Sequence, residues 1–189
     1  GVRGDDEVWE TMYKHLLDVN NADLALSVGT FDHSTSIYKR AKYVWETPEY
    51  ASWGAHFDDV YGQGMGQWIQ QRFVNRTEID THDRRRSSWS AAIQWYLRKK
   101  ALEHIKQLGL NKQYDRFVLT RSDFFYLCDH DLELLDPNLI WSPHTQHWGG
   151  LNDRHFVLSS KDLDTVFDLF SIMFDKKFKH GHGKRCMNP

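Results

Sequence analysis

Phe117-Val118-Leu119-Thr120-Arg121-Ser122-Asp123 is an apolar run that closes on an arginine, a hydroxyl and a carboxylate. Bulky and branched residues of this kind, bounded by polar ones, predict a short buried strand over Phe117–Thr120. Upstream, Trp89, Ile93, Tyr96, Leu97, Leu102, Ile105 and Leu108 recur at helical spacing, which predicts a long helix from about Ser87 to Leu108. Gly109 follows as its stop signal. Downstream, Leu139-Ile140-Trp141 and His155-Phe156-Val157-Leu158 read as two further short strands. Ser159 with Asp162 makes a capping-box-like start for a last helix, whose face is Leu163, Val166, Phe167, Phe170, Met173 and Phe174.

The first part of the chain has the same rhythm. Val8, Met12, Leu16 and Val19 mark a helix over Asp5–Val19, with Asp5, Asp6 and Glu7 at the end where its dipole favours negative charge. Leu24–Val28 reads as a buried strand, Lys42–Trp45 as another, and Tyr50–Tyr61 as a short helix. Gly62, Gly64 and Gly66 lack both the dinucleotide fingerprint and the P-loop lysine, so that stretch reads as a surface loop. Strands alternating with helices predict an α/β fold whose mostly parallel or mixed central sheet is covered on both faces. In such sheets ligands sit beyond the carboxyl ends of the strands. That directs attention to Gly29-Thr30, to Arg121-Ser122-Asp123 and to the turn after Trp141.

Composition narrows the function classes. With 24 Lys and Arg against 26 Asp and Glu, the chain lacks the basic excess of a nucleic-acid binder. No apolar run approaches the roughly 20 residues of a membrane span. Cys128 and Cys186 are far apart, without zinc-finger spacing, so reduced thiols in a cytoplasmic setting are expected. Eight tryptophans are more than one core needs, and flat rings outside it suit sugars and bases. The chain opens Gly1-Val2-Arg3-Gly4 and closes Met187-Asn188-Pro189, which reads as both ends cut from something longer.

A carboxylate at a strand end can hold a hard divalent cation beside a bound phosphate. Arg121 could pair with a carboxylate or a phosphate, and Ser122 could bond a ribose hydroxyl. The plainer reading is that Asp123 caps a turn and Arg121 is a solvated charge. Asp129-His130-Asp131 is a second acidic pair, ranked lower because it falls past the strand in a loop.

Two segments, Tyr114–Tyr126 (YDRFVLTRSDFFY) and Trp148–Ser159 (WGGLNDRHFVLS), resemble glycosyltransferases of the GT-A fold. Within that family the similarity is to the enzymes encoded by chlorella viruses, whose N-terminal domain is about this size. The resemblance implies a single domain over 1–189. It implies transfer of a sugar, glucose or rhamnose, from a UDP-sugar to a viral or cellular glycan, with Mn²⁺ or Mg²⁺ held by Asp123. The family's metal motif is Asp-x-Asp; here it reads Arg121-Ser122-Asp123, with Arg121 in the place of the first carboxylate. By the same resemblance Arg3, Thr30 and the Arg84-Arg85-Arg86 run, Arg86 above all, lie where nucleotide is bound, and Ser122 where ribose is contacted. Asp153 is the expected base for the acceptor hydroxyl, giving inversion, and Trp148 a stacking ring. Asp153 could instead hold its loop through an arginine, and Trp148 could be packed. His180 and His182 resemble residues that close over metal and diphosphate, though a basic tail is commoner. The rival expectation is a nucleotide- or glycan-binding module without turnover, which the loss of the first Asp favours.

Overall fold

The computed structural model describes residues 3–29, 32–74, 89–144, 152–168 and 171. The chain divides into two compact units, Gly1–Glu49 with Lys100–Asp164, and Tyr50–Lys99 with Thr165–Pro189.

In the first unit, α1 (Asp6–Met12) starts where the Asp5 carboxylate accepts from the Val8 N–H at 3.1 Å, and it runs on as a wider π turn over Tyr13–Asp18. A parallel pair follows: β1 (Ala25–Gly29) and β2 (Tyr43–Thr47), joined through α2 (Ser36–Arg40). Leu26 and Val28 of β1 meet Trp9, Met12, Tyr13, Leu16 and Leu17, together with Ile37 and Tyr38 of α2, in one apolar core. The period-two burial of β1 and the helical period of α1 thus share a target, which is why both were readable.

The stretch quoted first is β3 (Arg116–Leu119), and it pairs antiparallel with β4 (Phe156–Ser159), Phe117 facing Leu158 and Leu119 facing Phe156. Val118 packs against the α1–β1 core. Expected strand Leu139–Trp141 shrinks to one bridge, Trp141 to Val157. The backbone there is drawn into a turn on Asp136, whose carbonyl accepts from the Leu139 N–H and from the Trp141 indole N–H. Leu139 and Ile140 are left exposed.

One central, mostly parallel sheet was expected; the described residues instead form two separate two-stranded sheets, one parallel and one antiparallel. The connections explain the difference. A parallel pair needs a crossover, usually helical, and α2 provides it for β1 and β2. Between β3 and β4 the described residues hold only a tight helical turn at Leu132–Leu134, and β4 returns antiparallel. Mixed α/β is the class the structure supports.

The second unit holds α3 (Trp53–Tyr61), α4 (Met65–Val74) and the first part of α5 (Ser90–Gln107). Its core is Phe57, Met65, Ile69, Ala92 and Tyr96, wrapped by Trp53, Trp68, Trp89 and Trp95. Many of the tryptophans are therefore packing residues. Gly109, in the left-handed region at φ +66, ends α5 as expected. At the start of α6 (Leu163–Phe167) the Ser159 hydroxyl donates to the Asp162 carboxylate at 2.9 Å, through a tight turn at Ser160–Asp162. Among the described residues no helix is long and apolar enough to cross a membrane.

Candidate functional site

The chain leaves β3 as Thr120-Arg121-Ser122-Asp123, and the segment after it is tied to α1. The Tyr126 N–H donates to Thr11 Oγ1 at 3.1 Å and the His130 N–H to the His15 carbonyl at 2.8 Å. Asn20 takes the Leu132 N–H on its oxygen and donates from its amide to the His130 carbonyl. These bonds fix the strand end against the helix that packs on the β1 core.

Arg121 and Asp123 form a fork. The Arg121 Nε donates to one carboxylate oxygen at 2.8 Å and Nη2 to the other at 2.5 Å. The Arg121 hydrogen bond holds the Asp123 carboxyl below the usual carboxylate range, against the opposing effect of burial; Arg121's charge and that of Arg3 add to it. Arg121 is held still more firmly protonated, first by Asp123 and also by the charge of Asp153. Between the pair, the Ser122 hydroxyl accepts from the Arg3 N–H at 3.0 Å, while the Arg3 carbonyl accepts from the Trp9 indole at 3.1 Å. Gly4, at φ +96, allows this approach: a Cβ there would lie 2.8 Å from the Ser122 carbonyl oxygen. Arg3, Arg121, Ser122, Asp123 and Asp153 are thus gathered at one end of the β3–β4 pair.

Asp153 is placed from the other strand. Asn152, buried, accepts the Arg154 N–H on its side-chain oxygen at 3.0 Å, and its carbonyl accepts from Ser142 Oγ at 2.8 Å. His155 then locks the two strand ends together. Its Nδ1 lies 3.0 Å from Thr120 Oγ1, which lies 3.0 Å from the Tyr126 hydroxyl, and its Nε2 lies 3.2 Å from His130 Nε2. Burial, with a smaller push from His130, drives the His155 pKa down to about 4, so the ring is neutral at pH 7. Thr120, Tyr126, His130 and His155 were missed by sequence reasoning. Thr120 and His155 lie inside the two informative segments, but no letter there marks them as buried or paired.

A second polar group lies towards the carboxyl end of β2. There Glu46 Oε1 accepts from the Tyr38 hydroxyl and faces His33 Nε2, each at 2.7 Å, and the His33 ring stacks on Tyr38 at 4.6 Å. Glu46 too was missed.

The lower-ranked acidic pair makes local contacts. Asp129 contacts His15 Nδ1 at 2.7 Å, and Asp131 accepts the Glu133 N–H at the start of a turn. Thr30, Arg84, Arg85, Arg86, Trp148, His180 and His182 lie outside the described residues.

Both oxygens of Asp123 are occupied by a guanidinium, and among the described residues no three His, Cys, Asp or Glu side chains form a metal-holding group. Mn²⁺ or Mg²⁺ would share this single carboxylate with a fixed guanidinium whose positive charge opposes it, so Asp123 as arranged is a poor ligand for either ion. No protein-family model matches the chain, and neither a curated protein nor a solved structure does.

Proposed function

We propose that this chain is a GT-A-type glycosyltransferase domain, moving glucose or rhamnose from a UDP-sugar to a glycan acceptor. One observation carries the reading. Arg3, Arg121, Ser122, Asp123 and Asp153, named from two distant segments and the chain start, share one strand-end cluster. Two arginines beside a serine hydroxyl match a nucleoside diphosphate, and a carboxylate across from them matches an acceptor hydroxyl.

In the reaction the acceptor oxygen bonds to the anomeric carbon as the bond from that carbon to the β-phosphate oxygen breaks. The acceptor proton passes to Asp153, and UDP leaves with the bonding electrons. Arg121 offsets the charge that grows on the departing diphosphate, an effect strongest where water is scarce. In-line attack inverts the anomeric centre. His155 and Thr120 hold the two strand ends at a constant separation while this happens.

The test is UDP release from UDP-glucose and UDP-rhamnose, with and without a glycan acceptor. Asp153→Asn is expected to slow transfer by about 10²–10⁴-fold, the span of general base catalysis, with UDP affinity unchanged. Full activity in that variant, or a product that keeps the donor's anomeric configuration, would remove Asp153 from the base role. The self-contained Arg121–Asp123 pair favours a second reading, a nucleotide-binding module without turnover. Tight UDP binding with no hydrolysis of any donor would select it.

A further inference from the structure

We infer that the site takes a nucleoside diphosphate without a divalent cation, the Arg121 guanidinium carrying the charge that a metal ion carries at a strand-end carboxylate. The inference rests on the functional reading above and concerns the same site.

Three features support it. First, the fork between Arg121 and Asp123 closes across two positions of the same strand end, so it forms with the fold and needs no ligand. An arginine already held in one orientation loses little freedom when an anion arrives. Second, the fork leaves donors to spare. A guanidinium has five N–H groups, and Asp123 takes one from Nε and one from Nη2. The side chains of Arg121 and Asp123 are 29% and 26% exposed, so the pair is partly shielded from water yet open to a ligand. Third, charge alternates through the cluster: Asp153 acts on Arg121, Arg121 on Asp123, and Arg3 on Asp123. A cation entering at Asp123 would meet a carboxylate whose charge Arg121 already offsets and would sit beside that fixed positive charge. An anionic diphosphate meets donors from Arg121 without breaking the fork. Asp123 then acts as a positioning residue for Arg121 rather than as a metal ligand.

Calorimetric titration of UDP into the full chain, once in EDTA and once in MnCl₂, tests this. The expected result is the same affinity in both buffers. Arg121→Ala should weaken UDP at least about tenfold in either, the scale of one charge-assisted hydrogen bond. Asp123→Asn, which keeps an acceptor for Arg121, should weaken it only a few-fold, equally with and without Mn²⁺. UDP binding that appears only with Mn²⁺ and vanishes in Asp123→Asn would overturn the inference and leave the functional reading standing. No UDP binding to the folded protein in either buffer would overturn both. Should Arg121→Ala fail to fold, the wild-type and Asp123→Asn titrations decide the matter by themselves.

Discussion

At His155, burial and the facing His130 ring hold the imidazole neutral, with its pKa pushed down from 6.5 to about 4. The other groups against it are the Thr120 hydroxyl and the Phe124 and Tyr126 rings. An unfolded chain binds a proton at this residue near pH 6.5 that the folded chain refuses until about pH 4. Stability from His155 is therefore full above that window and falls as pH drops through it, by roughly 3 kcal/mol in all. His130, also lowered by burial, acts in the same direction. Asp123, lowered by Arg121, adds its loss at more acid pH, as pH falls through its folded value. Urea unfolding at pH 7, 5.5 and 4.5 should show a steep decline in the wild type and a shallower one in His155→Gln. Equal slopes would mean that the ring is not held neutral. The Arg121–Asp123 pairing was within reach of the sequence, since an arginine two positions from a carboxylate can fold back on it. The His155 network was not, because a buried histidine and an exposed one look alike in a string of letters.

Among the helices, Gly62, Gly64 and Gly66 show how one motif divides on folding. Gly62 at φ +98 and Gly64 at φ +83 turn the chain between α3 and α4, as the loop reading expected. Gly66 belongs to α4 instead, where an added Cβ would lie 2.3 Å from the Gly54 carbonyl oxygen of α3. Backbone cannot yield as a side-chain tip can. Gly66→Ala should cost the second unit about 1–3 kcal/mol, the usual penalty of overpacking, read as a lower denaturant midpoint. An unchanged midpoint would show that the α3–α4 approach is looser than described. Elements whose apolar period faces a core, such as α1, β1 and α5, were legible from sequence. Leu139–Trp141 was not, because turn hydrogen bonds to Asp136 compete with the strand and prevail.

Over the whole chain, the alternation of strands and helices was readable, but strand partnership was not. Apolar runs say that β3 and β4 are strands; only the lack of a crossover helix in the described segment between them accounts for their antiparallel pairing. The cluster at the β3–β4 end was half legible: Arg121, Ser122, Asp123 and Asp153 stood out, while Thr120 and His155 did not. Whether that cluster binds nucleotide is decided by thermal unfolding of the full chain with UDP, GDP and CMP, each in EDTA. UDP at a hundredfold excess over its dissociation constant should stabilise the fold by about 2.7 kcal/mol. Its midpoint should rise above those with GDP and CMP, and the rise should disappear in Arg121→Ala. A folded chain whose midpoint moves with none of the three, in EDTA or with Mn²⁺ added, would contradict the assignment of this strand end to nucleotide binding.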